Sequence, residues 1–195
     1  MHKLIISLII LLAFTGCVLP TYIGQSTLNE TGVKKSDIKY ATVLVVGAGS
    51  MPSRFFLENL SEEIMKLFKQ HKIEADFTYL GKIPRRSHVD VNKLVTSKYN
   101  AYLIFHSMDT SYSNTHKDVA IVAAPIPGGF ASGSVIGNQY KEDFYAEFYT
   151  NVDSLNRVWQ GELKVDFDFA KTTRYETIAK DLFEKLLKNG LIPKN

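Results

Sequence analysis

The sequence predicts an α/β fold: a three-layer or two-layer mixed sheet, parallel β-α-β-α-β in its first half, then an antiparallel ribbon and a C-terminal helix. Three observations predict it. Tyr40 to Val46 and Ala101 to Phe105 are continuous apolar runs without alternation, the pattern of strands buried on both faces. Tyr140 to Thr150 and Val158 to Phe169 instead alternate apolar with polar, the pattern of a half-buried antiparallel pair. Between and after them stand two stretches of helical period.

In chain order, Tyr40 to Val46 is the expected central strand, and Gly47-Ala48-Gly49-Ser50-Met51-Pro52 turns from it into a helix over about Ser53 to Gln70. Phe56, Leu60, Ile64, Leu67 and Phe68 recur there at three and four residues, opposite Arg54, Glu58, Glu62, Lys66 and Lys69. Glu62 and Lys66 have the favourable i, i+4 order. Ala75 to Leu80 is a shorter, more polar strand, expected near an edge. Asp90 is placed to cap a short helix from Val91 to about Lys98, and Ala101 to Phe105 follows as a third strand, so that parallel neighbours are joined by crossovers.

The later half changes grammar. Val119 to Ala124 is apolar, Pro125 to Gly137 is rich in Gly, Pro and Ser and is expected to be a loop, and Asn151 to Asn156 is the turn of the ribbon. Phe144 and Phe148 should share the inner face with Trp159, Leu163, Val165 and Phe167. The closing helix carries Thr173 and Glu176 at capping-box spacing, an apolar stripe of Tyr175, Ile178, Ala179, Leu182, Phe183 and Leu186, and Gly190 at its exit.

The N-terminus is of a different kind. Lys3 precedes the apolar run Leu4 to Phe14, which ends in Thr15-Gly16-Cys17, an export signal in its ordinary order. The run is shorter than the roughly 18 to 20 apolar residues of a membrane span. Phe14-Thr15-Gly16-Cys17 resembles the lipobox of bacterial lipoproteins, with Phe14 where leucine is usual. The resemblance implies that residues 1–16 are removed and that Cys17, the single cysteine, carries the lipid and becomes the first mature residue. Two or more acyl chains, at about 0.8 kcal/mol per buried methylene, then make a lasting anchor. Val18 after the cysteine, by resemblance to enterobacterial sorting, points to the outer membrane facing the periplasm. The division expected is a signal peptide over 1–16, a lipidated cysteine and tether over 17–39, and one α/β domain over 40–195. The tether would reach on the order of 70 Å when extended.

Removing residues 1–16 from 195 leaves 179, the size of one domain, and removing Lys3 from 23 basic residues leaves 22 against 20 acidic, near +2. That balance does not resemble a nucleic-acid binder. A nucleotide site is equally unexpected, because Pro52 stands where the third glycine of a dinucleotide fingerprint belongs and no Lys-Ser or Lys-Thr follows. No cofactor and no catalytic motif are implied.

Three stretches carry candidate chemistry. His106, Ser107, Asp109, His116 and Asp118 lie on or beside the polar stretch after the third strand, at the carboxyl edge where α/β sheets hold ligands. A metal site or a small hydrolase could be built from them, although the spacing matches no metal motif and a hydrated loop is the simpler reading. Lys82, Arg85 and Arg86, with His88, form a basic run suited to an acidic partner or anionic lipid, or simply to water. Phe130 and Ile136 are apolar points in the Gly-rich stretch that a partner could cover.

The order of features also resembles a group of envelope lipoproteins whose domain is similar to the TolB amino-terminal domain, including penicillin-binding-protein activators and relatives of the curli secretion lipoprotein. Cys17 carries that resemblance, together with Thr42-Val43-Leu44-Val45-Val46, Arg54 and Glu58 opening the helix, Tyr102-Leu103-Ile104-Phe105, Asn156-Arg157-Val158-Trp159-Gln160-Gly161 and the terminal helix, over about Tyr40 to Leu191. It implies a non-enzymatic, membrane-anchored accessory factor that binds an envelope protein or wall component. The alternative is a small envelope hydrolase or metal-binding protein using His106 to Asp118.

Overall fold

The structure, a computed structural model, describes residues 25–33, 41–83, 88–108, 119–126, 129–136, 139–152, 154–168 and 173–193, with the backbone alone over 119–126, 129–136, 139–140 and 167–168 and at 25, 52 and 173. In chain order come β1 (Gln25–Val33), β2 (Thr42–Ala48), α1 (Met51–Gln70), β3 (Glu74–Tyr79), a 3-10 turn (Val91–Leu94), β4 (Ala101–Ser107), β5 (Val119–Ile126), β6 (Gly129–Ile136), β7 (Gln139–Asn151), β8 (Leu155–Asp168) and α2 (Thr173–Lys188). Six strands form one mixed sheet in the order β1-β8-β7-β4-β2-β3, and β5 pairs with β6 as a separate two-stranded sheet.

β2 runs parallel to both β3 and β4, while β4–β7, β7–β8 and β8–β1 are antiparallel. Its unbroken apolar run is used as the sequence suggests. Val43 and Val45 join the core beneath the helices, and Leu44, Val46 and Ala48 join a second cluster on the opposite face. The middle of the sheet is nevertheless the β7–β4 pair, with β2 one place further out and β3 at the edge.

Both helices lie on one face. The α1 residues Phe56, Leu60, Ile64 and Phe68 and the α2 stripe from Tyr175 to Leu186 bury against Leu103, Phe105, Phe144, Phe148, Trp159 and Leu163. Phe56 stacks on Phe144 with ring centroids 5.3 Å apart. At this size, each fully buried aromatic contributes about 2–3 kcal/mol by area. The opposite face is covered in part by Val89, Val91, Leu94 and Tyr99 over Leu44, Tyr102 and Ile104. The described residues thus form a mixed α/β domain, a six-stranded mixed sheet with both helices on one face, as the expected α/β class requires.

Four expectations change. The stretch given to the tether contains β1, whose Leu28 is buried and whose Glu30 carboxylate accepts hydrogen bonds from the Trp159 indole N–H at 2.9 Å and the Asn189 amide at 2.6 Å. Its local pattern is weak. Pairing with β8 over Gln25 to Val33 decides the conformation, as tertiary context does for strands generally.

Among the described residues the second crossover holds one 3-10 turn and no α-helix; Asp90 makes no side-chain cap, and Val95 is extended. The apolar points Val91 and Leu94 are enough for a single turn, after which the Thr96 N–H donates to the Tyr102 hydroxyl at 3.1 Å and fixes the departure.

Pro125 to Gly137 is largely strand, because β6 pairs residue for residue with β5, Phe130 opposite Pro125 and Ile136 opposite Val119. Ladder bonds belong to the main chain, so small side chains do not prevent pairing. Finally, Lys66 pairs with Glu63 at 2.6 Å rather than with Glu62. Both spacings lie within reach on a helix.

Candidate functional site

Parallel pairing of β2 with β4 puts the Gly47 turn and the end of β4 at one carboxyl edge, with Ala48 opposite His106. That edge is closed by its own residues. Ser50 caps α1, its backbone N–H donating to Ser53 Oγ at 3.0 Å in a reciprocal capping box. Ser53 Oγ in turn donates to the Glu142 carboxylate, 2.8 Å from each oxygen. A carboxylate from β7 thus occupies the positive end of α1, the place a phosphate would take. The backbone there is equally tight, since a Cβ built on Gly49 would stand 2.7 Å from the Cβ of Ser53.

The chemistry gathers on the face away from the helices. Strand alternation sends His106 to the same side as Ile104 and Tyr102, and sends Ser107 to the other side, towards Gly49. His106 and Ser107 thus lie on opposite faces of the sheet, and His116, the residue that could serve Ser107 as a base, lies outside the described residues. His106 is buried, and on the adjoining strand β7 Tyr145 stands opposite it, Glu147 opposite Ile104 and Tyr149 opposite Tyr102. Glu147 is only 1% exposed, although it occupies an outward position of an alternating strand.

Glu147 is held by two donors and faces an imidazole. Arg157 Nη1 donates to its Oε1 at 2.6 Å, the Tyr149 hydroxyl donates to its Oε2 at 3.3 Å, and His106 Nδ1 lies 3.9 Å from Oε2. Arg157 reaches this face through a β-bulge. The β7–β8 register shifts between Phe148, opposite Trp159, and Tyr149, opposite Arg157, leaving Val158 as the extra residue. Bulges re-aim side chains in this way. Val158 buries with the core, and the guanidinium lands beside the carboxylate.

His88, exposed at the end of the loop that follows β3, completes the group. Its ring meets His106 edge-on with centroids 5.2 Å apart, and Tyr145 lies 5.1 Å from His106. Burial is the main force lowering the His106 pKa from its ordinary value, the neighbouring His88 lowers it further, and Glu147 opposes both. The imidazole is thereby biased to the neutral form, and its Nδ1 has no hydrogen-bond partner. The Tyr149 phenol is pushed up by burial first and by Glu147 next, while the hydrogen bond to Glu147 raises Arg157. What results is an unpartnered imidazole nitrogen, a pinned carboxylate and an exposed second imidazole in one polar niche.

Of the residues singled out from sequence, His88 and His106 are in this niche and Lys82 is exposed at the start of the basic run. Arg85, Arg86, Asp109, His116, Asp118 and Cys17 lie outside the described residues, and Phe130 and Ile136 fall in β6. Glu147 and Arg157 escaped the sequence reading as site residues. Alternation alone assigns Glu147 to solvent, and only a carboxylate flanked by Tyr145 and Tyr149 hinted otherwise.

Among the described residues, these features define a mixed α/β domain with two helices on one face of its sheet and, on the other, a buried histidine and glutamate joined by a half-exposed arginine. No family model matches the sequence, and no curated protein matches it. Among solved structures, the PelC dodecamer from Paraburkholderia phytofirmans is similar in fold at a TM-score of 0.43 and 9% identity, covering 87% of this chain and 100% of that one. A leucine-to-methionine variant of that dodecamer, from the same organism, gives the same values. At 9% identity and that TM-score the likeness bears on neither activity nor assembly. Among the described residues no helix is long and apolar enough to cross a membrane.

Proposed function

We propose that this chain is a lipid-anchored accessory protein of the bacterial envelope, related to the TolB amino-terminal-like lipoproteins, held at the periplasmic side of the outer membrane. In this reading it acts by binding an envelope protein or wall component, not by catalysis. The observation that carries the proposal is Cys17 at the exit of the Leu4 to Phe14 run. Two features of the domain support a binding role. The carboxyl edge of the sheet, the usual ligand crevice of such folds, is filled by the Ser53–Glu142 pair. The start of β1 at Gln25 leaves only the residues between Cys17 and Gln25 as a lead, which span at most about 29 Å. A domain held that close engages partners at the membrane surface.

The test joins anchor and partner. Palmitate should label the wild type and not Cys17→Ala, and both should accumulate with their fold intact. A photocrosslinker in place of Lys82 should then capture one discrete envelope partner from the anchored protein and not from the Cys17→Ala form. An unlabelled wild type would remove the anchor from the proposal. Labelling without any captured partner, from Lys82 or from a second position at Phe130, would remove the binding role.

A further inference from the structure

We propose that His88, His106 and Glu147 form a binding site for one divalent transition-metal ion of the zinc type. The three side chains offer two imidazole nitrogens and a carboxylate oxygen within 4.8 Å of one another. Two imidazoles with one carboxylate suit zinc and its neighbours, and three protein ligands leave a fourth, open position.

Two independent features favour metal over a merely structural polar cluster. The first is His106 Nδ1, buried with no hydrogen-bond partner, an orphan that is costly to leave unless something binds it. It faces Glu147 Oε2, the oxygen that Arg157 does not take. The second is the division of labour in the niche: Arg157 and Tyr149 hold the Glu147 carboxylate by hydrogen bonds, as outer partners orient a ligating group.

The geometry also says what must move. Ligand atoms around a tetrahedral ion with bonds of about 2.0–2.1 Å lie roughly 3.3 Å apart. The His106–Glu147 separation of 3.9 Å is close to that value already. His88 is the exposed member and lies on a loop, so it is the ligand that closes on the ion. Arg157 places a positive charge near the site, which weakens a divalent cation's hold and favours an anionic group in the open position.

The experiment titrates zinc chloride into the tag-free full chain in detergent, followed by calorimetry, with cobalt(II) as a spectroscopic substitute. The expected result is one ion per chain, a rise in melting temperature that grows with zinc concentration, and cobalt visible bands of four-coordinate intensity. His88→Ala, at an exposed position that should not disturb folding, should weaken binding by more than the roughly 10–100-fold that loss of an outer partner costs. His106→Ala and Glu147→Gln should do the same, and His71→Ala should change nothing. Absence of binding by the wild type would overturn the proposal. So would zinc affinity and cobalt bands that survive His88→Ala, since the ion would then sit elsewhere.

Discussion

Arg157→Ala should destabilise the domain by about 3 kcal/mol, several times the usual cost of breaking an ion pair at a surface. Two regimes compete for this pair. Arg157 is 45% exposed in its side chain, which suggests a surface pair worth about 0–1 kcal/mol. Glu147 is 2% exposed in its side chain, and a buried charge stripped of its partner costs about 3–5 kcal/mol. The buried partner should dominate, because solvent cannot replace the guanidinium where the carboxylate sits; the exposed half of Arg157 only moves the figure to the lower end of that range. The reverse change should be cheap. Glu147→Gln leaves Arg157 reaching water and keeps a carbonyl acceptor for Tyr149, so about 1 kcal/mol is expected. The double variant should then recover much of the Arg157→Ala loss. Urea unfolding followed by circular dichroism decides the matter. With a slope of about 2 kcal/mol per molar urea, Arg157→Ala shifts the midpoint down by about 1.5 M. An Arg157→Ala protein within about 0.5 kcal/mol of wild type, or a Glu147→Gln protein hurt at least as much, would refute the reasoning.

Three further outcomes follow from other parts of the fold. Gly161→Ala should cost about 1–3 kcal/mol by overpacking, because the new Cβ would meet the Trp159 ring at 2.9 Å and the Asn29 carbonyl oxygen at 3.1 Å; the emission of the single tryptophan should shift to longer wavelength as its ring is displaced. Ser53→Ala should cost about 1–2 kcal/mol in a denaturation series, since it removes both the capping-box partner of Ser50 and the hydroxyl donor to Glu142. Burial pushes the Tyr175 phenol up to about 12 from 10.0. The raised pKa disfavours phenolate in the folded state, so stability is intact below pH 10 and falls as pH rises towards about 12. Tyr175→Phe should flatten that alkaline slope relative to wild type, and equal slopes would dismiss the assignment.

Much of the architecture was legible because period and burial coincide. β2, α1, β4 and α2 each carry an apolar pattern that one face or both faces of the element use. β7 and β8 were legible for the same reason. β1 was not, since only Leu28 among its described side chains is buried and its conformation comes from β8, over a hundred residues away. The crossover before β4 failed because two apolar points support one turn and not the two or so of a helix reaching Lys98. The niche was harder still. His106 is visible as chemistry, on or beside the polar stretch after Phe105, and it proves to be the last but one residue of β4, facing away from Ser107. His88 was visible only as part of a basic run. Glu147 was hidden by the very alternation that correctly buried Phe144 and Phe148, and its burial depends on side chains from three other segments.

The bulge at Val158 acts as a parity bit. Were the β7–β8 ladder continuous past Phe148 and Trp159, Tyr149 would face Val158 and Arg157 would fall opposite Thr150, on the side of the sheet that the helices cover. One residue more or less thus decides whether a guanidinium meets a carboxylate or a hydrocarbon core. The chemical identity of residue 158 matters less than its being counted. Sequence drift at this corner should therefore tolerate exchange of Val158 for another apolar residue far better than its deletion, and the constraint on the niche is written in the length of the strand as much as in the residues that line it.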